Sequence, residues 1–179
     1  YAESTGKTGC QVSTQLNPGK TRPEVELTYR FTSIYKENWA FGYWSGSTGT
    51  AIGIYDSKFR YRVMGTTGFA GPADDKVHTM LLNSTDGTYF DGEQIDDKLK
   101  SVPDTCTSPY ALFARVTSPT PQTSACRIYA ATFWLDGEMV RDYVPCMVAA
   151  TGKCGLFDKV ACTFCTDDTK PLCHYIPIK

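Results

Sequence analysis

Between Glu24 and Phe31 the apolar residues Val25, Leu27, Tyr29 and Phe31 fall on every second position, with Glu24, Glu26, Thr28 and Arg30 between them. Successive side chains of an extended chain point to opposite faces, so a period of two predicts a strand buried on one side and wetted on the other. A helix would scatter the same residues around its circumference. The pattern recurs at Trp39, Phe41 and Tyr43, at Ile52 and Ile54, and at Phe59, Tyr61 and Val63. Gly-rich or Asp-Ser turns separate these runs, so the three read as a meander of neighbouring strands.

Farther on, Val77 to Leu82 and Thr88 to Phe90 flank a turn at Asp86-Gly87, and Asp91-Gly92 turns the chain again before Gln94 and Ile95. Ala111 to Val116 reads as another strand. Arg127 to Leu135 and Glu138 to Val148 are joined through Asp136-Gly137, a strong hairpin signal because both central residues of the turn need positive φ. The first arm is apolar on both faces, which predicts an interior strand. Gly, Pro or β-branched residues interrupt every stretch with a 3.6-residue period. The reading is all-β: about a dozen short strands in two packed antiparallel sheets, within one domain.

The 18 Lys plus Arg against 19 Asp plus Glu give no long-range attraction to phosphate backbones, which argues against a nucleic-acid partner. No apolar run is longer than that of Cys146 to Ala150, far short of the roughly 20 residues of a membrane-spanning helix, so no membrane insertion is expected. Eight cysteines, an even and high count, point to an oxidising compartment. Tyr1 in place of an initiator Met reads as a processed chain or an excised domain.

Several stretches, in this order and spacing, carry a resemblance. They are Tyr1-Ala2-Glu3-Ser4-Thr5-Gly6, Thr21-Arg22-Pro23-Glu24-Val25-Glu26-Leu27, Trp39-Ala40-Phe41-Gly42, His78-Thr79-Met80-Leu81-Leu82-Asn83 and Tyr89-Phe90-Asp91-Gly92. Ala111 to Arg115, Arg127-Ile128-Tyr129, Val140 to Cys146 and Gly155 to Val160 continue it. Together they resemble the bacterial and phage branch of the laminin-G-like, concanavalin-A-like family. The resemblance implies a jelly-roll sandwich over residues 1–160, used in relatives mostly to bind glycans or proteins and in a minority to hydrolyse glycans. Residues 161–179 depart from it as a Cys-rich C-terminal extension. It also implies calcium at the sandwich edge, for which Asp56, Asp91 and Asp158 are unranked candidates.

Cys154, Cys162, Cys165 and Cys173 form Cys-x7-Cys-x2-Cys-x7-Cys with His174 next in sequence. Two disulfides tying down a tail with few apolar anchors are favoured over a four-thiolate zinc knot. A redox Cys162-x2-Cys165 lacks the helix start that would lower its pKa. Of the other four, Cys106 and Cys126 border one strand and loop and form the first guess at a pair, leaving Cys10 with Cys146. The alternating carboxylates that glycan hydrolases of this fold carry are not found: Glu24 and Glu26 lack a third, and Glu93 to Asp97 breaks the alternation, so no enzyme is expected. His78 and His174 have no nucleophile at recognisable spacing. Asn83-Ser84-Thr85 fits a glycosylation sequon, unused in a bacterial-type family.

The sharpest positive signal lies in the meander. With Trp39, Phe41 and Tyr43 facing the core, Ala40, Gly42 and Trp44 face the other side of the sheet, joined there by Ala51, Gly53 and Tyr55 and by Arg60 and Arg62. Trp44, Tyr55, Arg60 and Arg62 beside small residues make a shallow groove on which sugar rings stack and guanidinium forks hold carboxylate or sulfate. The plainer alternative is a loop-covered Trp44 and ordinary surface arginines. The expected function is a non-catalytic, secreted or surface-displayed module, extracellular, periplasmic or on a virion, that binds a glycan or a cell-surface glycoprotein. The rival is a structural or adhesive module with protein partners or its own copies, as in a phage fibre, an adhesin or an envelope assembly. On the groove reading, Trp44→Ala abolishes binding and leaves the melting temperature unchanged.

Overall fold

The computed structural model describes residues 1–5, 11–16, 23–34, 37–45, 48–97, 108–117, 122–167 and 172–175, apart from the side chains of residues 45 and 173–175. In chain order the strands are β1 (Ala2–Thr5), β2 (Val12–Ser13), β3 (Pro23–Phe31), β4 (Asn38–Ser45), β5 (Thr48–Tyr55), β6 (Lys58–Val63), β7 (Thr66–Pro72), β8 (His78–Asn83) and β9 (Gly87–Phe90). They continue as β10 (Glu93–Asp96), β11 (Ala111–Leu112), β12 (Ala114–Arg115), β13 (Gln122–Thr123), β14 (Ala125–Leu135), β15 (Glu138–Val148), β16 (Lys153–Asp158), β17 (Thr163–Cys165) and β18 (Cys173–Tyr175). There is no helix among the described residues, as the absence of a 3.6-residue period predicts.

One sheet runs β10, β9, β8, β3, β14, β15, β16, β17. One edge of β14 is shared, its first half pairing with β1 and its second with β15, while β18 adds to β1. The strand predicted to be interior is therefore the central one, and strands beyond residue 160 are part of the same sheet. The second sheet runs β2, β11, β4, β5, β6, β7, with β12 and β13 as a small pair beside it. The expected meander is β4 to β6, antiparallel throughout.

Asp136-Gly137, Asp91-Gly92 and Asp56-Ser57 all take positive φ at both positions, the mirror-image turn whose twist matches that of its flanking strands. The two sheets pack face to face through the alternate apolar residues. Phe41 meets Phe133 at 5.4 Å, and Phe59 meets Tyr29 at 6.3 Å and Phe90 at 5.1 Å, each contact crossing between sheets. Polar groups also bridge them: Tyr61 donates its hydroxyl to Asp96 Oδ2 at 2.7 Å, and Tyr143 donates to the Thr14 carbonyl at 3.2 Å. These bonds tie the second sheet to the first from its inner side, leaving its outer face to other contacts.

Of the places where the register shifts, the one within β4 matters most for the outer face. Trp39 pairs with Gly53 while Phe41 pairs with Ile52, so Trp39 and Ala40 together oppose one residue of β5. The bulge reverses the parity of the strand before it. Ala40 joins the core, and Trp39 turns to the outer face, opposite to the expectation from the sequence.

Candidate functional site

On the outer face of the second sheet, cross-strand register sets two rows side by side. One is Trp39, Gly53, Arg60 and Phe69, from β4 to β7. The other is Gly42, Ala51, Arg62 and Thr67. Gly53 is what lets the first row close. A Cβ there would lie 2.5 Å from Trp39 Cε3, so the indole lies over bare backbone.

Trp44 is the hub. The guanidinium carbons of Arg62, Arg115 and Arg60 lie 4.1, 4.6 and 4.7 Å from its ring centroid, and Trp39 meets it edge-on at 5.5 Å. Arg60 also lies 4.5 Å from Tyr55, 5.8 Å from Trp39 and 5.9 Å from Phe69, so four rings surround one cation. Ring faces carry negative quadrupole density, which attracts each guanidinium and offsets part of its lost hydration. The rim is open: Tyr55 is 44% exposed and Phe69 48%, while Arg62 is 6% and Trp39 0% exposed.

The structure thus brings together all four residues picked out in the sequence and adds Trp39, Phe69, Arg115 and Glu37. Phe69 was within reach, since β7 had only to pair with β6 to set it opposite Arg60. Arg115 was not. It arrives from β12 after Phe113, whose φ of +63° strains a bulky residue by on the order of 1–3 kcal/mol. Arg115 reaches Trp39 at 4.2 Å, donates to Gln122 Oε1 and pairs with Glu37 Oε1 at 3.1 Å. Glu37 also accepts from Trp39 Nε1 at 2.9 Å. Burial holds Arg115 below its usual pKa; Glu37 opposes this, and the charges of Arg60 and Arg62 add to it.

Other expected sites come apart. Asp91 is committed to His78 Nδ1 at 2.7 Å and the Thr79 amide at 2.8 Å, Asp158 is buried against Arg141 Nε at 3.2 Å, and Asp56 sits in the β5–β6 turn. Among the described residues no three Asp, Glu, His or Cys side chains are arranged to hold an ion. Asn83 is buried, and its Oδ1 accepts from the Thr85 and Asp86 amides at 2.7 and 2.9 Å, so the sequon is spent on shaping a turn. Glu24 shares an open cleft of about 530 Å³ with Asn83, Asp86 and Asp136. Burial raises its pKa, helped by Asp86 and Glu26.

His78 is held at both ring nitrogens, by Asp91 and by Asp74 Oδ1 at 2.8 Å, and its ring stacks on Phe90. It is a clamp between a turn and the β7–β8 loop. The thiols of Cys154, Cys162 and Cys165 are free, so the two disulfides expected within the tail are not formed here: Cys154 and Cys165 lie on paired strands, but Cys165 is opposite Leu156. The Cys146 thiol is free as well, which overturns its expected pairing with Cys10. Burial pushes the Cys146 and Cys165 thiols up, the reverse of what a redox cysteine needs. Cys126 is buried in the core. Cys10 and Cys106, with the side chains of Cys173 and His174, lie outside the described residues. No protein-family model matches the chain, and no curated protein matches it.

Proposed function

We propose that this is a non-catalytic extracellular binding module of laminin-G-like, jelly-roll type, recognising a glycan or glycosylated surface through the outer face of its six-stranded sheet. The observation that carries the reading is the pair of exposed rings, Tyr55 and Phe69, on either side of Arg60. Half-exposed aromatic faces on a rigid sheet offer the apolar C–H side of a sugar a surface, and the nearby guanidiniums offer donors to its oxygens. The packed rings beneath fix that platform before any ligand arrives, which lowers the ordering cost of binding. Laminin-G-like ancestry with a cysteine-rich tail belongs to the same reading, as does oxidation of the tail thiols outside the cytosol.

The test is a glycan array run with and without calcium on the wild type and on a Tyr55→Ala, Phe69→Ala double variant. Both rings are exposed enough for the variant to fold. Capture of a defined glycan set by the wild type, lost in the variant, supports the reading. An empty array with a stable oligomer in light scattering would instead favour an assembly or adhesion module with a protein partner.

A further inference from the structure

We infer that the saccharide taken by this face is acidic, with a carboxylate or sulfate group seated on the guanidinium of Arg60 between Tyr55 and Phe69. This rests on the glycan reading above and names its ligand class. Three features carry it, and the first is charge balance. Arg60, Arg62, Arg115 and Lys58 crowd the face, and Glu37 stands within ion-pair distance of Arg115, not of Arg60. Like charges this close, partly stripped of water, favour an incoming anion.

The second feature is that Arg60 has no protein acceptor among the described residues. Arg115 is taken by Glu37 and Gln122, whereas the guanidinium of Arg60 lies against rings alone among the described residues and its buried Nε has no partner there. A guanidinium lying over aromatic faces keeps its N–H donors in its own plane, where they match the two oxygens of a carboxylate or sulfate. The third is position. Of the three guanidiniums only Arg60 lies within 6 Å of the exposed rings, so an anion there sits where a sugar ring would stack.

The test compares matched polysaccharides by isothermal titration calorimetry: polygalacturonate against its methyl ester for carboxylate, and dextran sulfate against dextran for sulfate. Proteins are the wild type, Arg60→Gln, Arg60→Lys and Arg30→Gln, the last on the other sheet, each checked by thermal melting. The expected result is that one acidic polymer binds the wild type about 10- to 100-fold tighter than its neutral partner, as a charge-assisted pair requires. Added salt weakens that binding, Arg60→Gln abolishes the preference, Arg60→Lys keeps part of it and Arg30→Gln keeps all of it. Equal binding of acidic and neutral partners by the wild type, a comparison that needs no variant, overturns the acidic assignment and leaves the glycan reading standing. A preference retained by folded Arg60→Gln overturns the role of Arg60. Absence of binding to all four polymers and to the wider array overturns the glycan reading itself.

Discussion

Replacing Trp44 with leucine tests whether the ring at the centre of the arginine cluster holds the sheet face together. Three guanidiniums lie 4.1 to 4.7 Å from its centroid. A cation over an indole contributes about 0.5–1 kcal/mol when exposed and about 2 kcal/mol when desolvated. Arg62 and Arg115 are 6% and 9% exposed, so an average of about 1 kcal/mol for each of the three contacts is modest. Leucine keeps apolar bulk but has no quadrupole, which leaves a loss of about 3 kcal/mol. In a chain of this size that lowers the melting temperature by about 6–12 °C. The unchanged melting temperature expected from an isolated groove residue is therefore withdrawn: any loss of binding at Trp44 must be judged against a destabilised fold. Urea unfolding of Trp44→Leu, Arg62→Met and the double variant isolates one contact, with an expected coupling of about 1–2 kcal/mol. A melting shift below about 2 °C, or a coupling indistinguishable from zero, would show that the rings and cations are merely neighbours.

Three further outcomes follow from the packing. Burial opposes the charge on His78, but its hydrogen bonds to Asp74 and Asp91 outweigh that and raise its pKa above 6.5, while His78 holds the Asp74 carboxyl below its usual 3.8. The clamp is thus fully stabilising from about pH 4 to 6.5. The His78 contribution fades as pH rises through its raised folded pKa, and that of Asp74 as pH falls through its lowered one. His78→Gln should flatten the alkaline side of a melting-temperature profile. Asp158→Asn leaves Arg141 without its buried partner and should cost about 3 kcal/mol in urea unfolding, at the low end for a broken buried pair because Arg141 is partly exposed. Gly53→Ala drives a methyl group against the Asn38 carbonyl and the Trp39 indole. It should lower stability by about 1–3 kcal/mol and change the tryptophan near-ultraviolet dichroism.

The strands were legible because a period of two follows directly from backbone geometry, and the turns because Asp-Gly tolerates positive φ at both positions. Trp44, Tyr55, Arg60 and Arg62 were legible for the same reason: alternation within β4 to β6 assigned each to a face. Trp39 was not, because a bulge adds one residue to a strand without any characteristic side chain, and every residue on its far side changes face. Arg115 needed more than local pattern. Its neighbours are some 70 residues earlier in the chain, and the kink at Phe113 that aims it has no glycine to announce it. The cysteines mark a third limit, since spacing alone does not determine which thiols meet.

The described cysteines and the arginines of the ring cluster belong to different halves of the sandwich. Cys126, Cys146, Cys154 and Cys165 are all carried by strands of the ten-stranded sheet, and Cys162 by the turn between two of them. Arg60, Arg62, Trp39, Trp44, Tyr55 and Phe69 are carried by the six-stranded sheet, and Arg115 by the small pair beside it. Crosslinking the free thiols of Cys154, Cys162 and Cys165 would act at the margin of the first sheet, where the side chains of β17 are exposed or half-buried. Nothing in that chemistry touches the ring and cation stack, whose geometry is set by glycine gaps, a bulge and the positive φ of Phe113. Stability at the margin and the proposed recognition on the opposite face would therefore vary independently, because the exposed rim of Tyr55 and Phe69 can be substituted without disturbing what closes the sandwich.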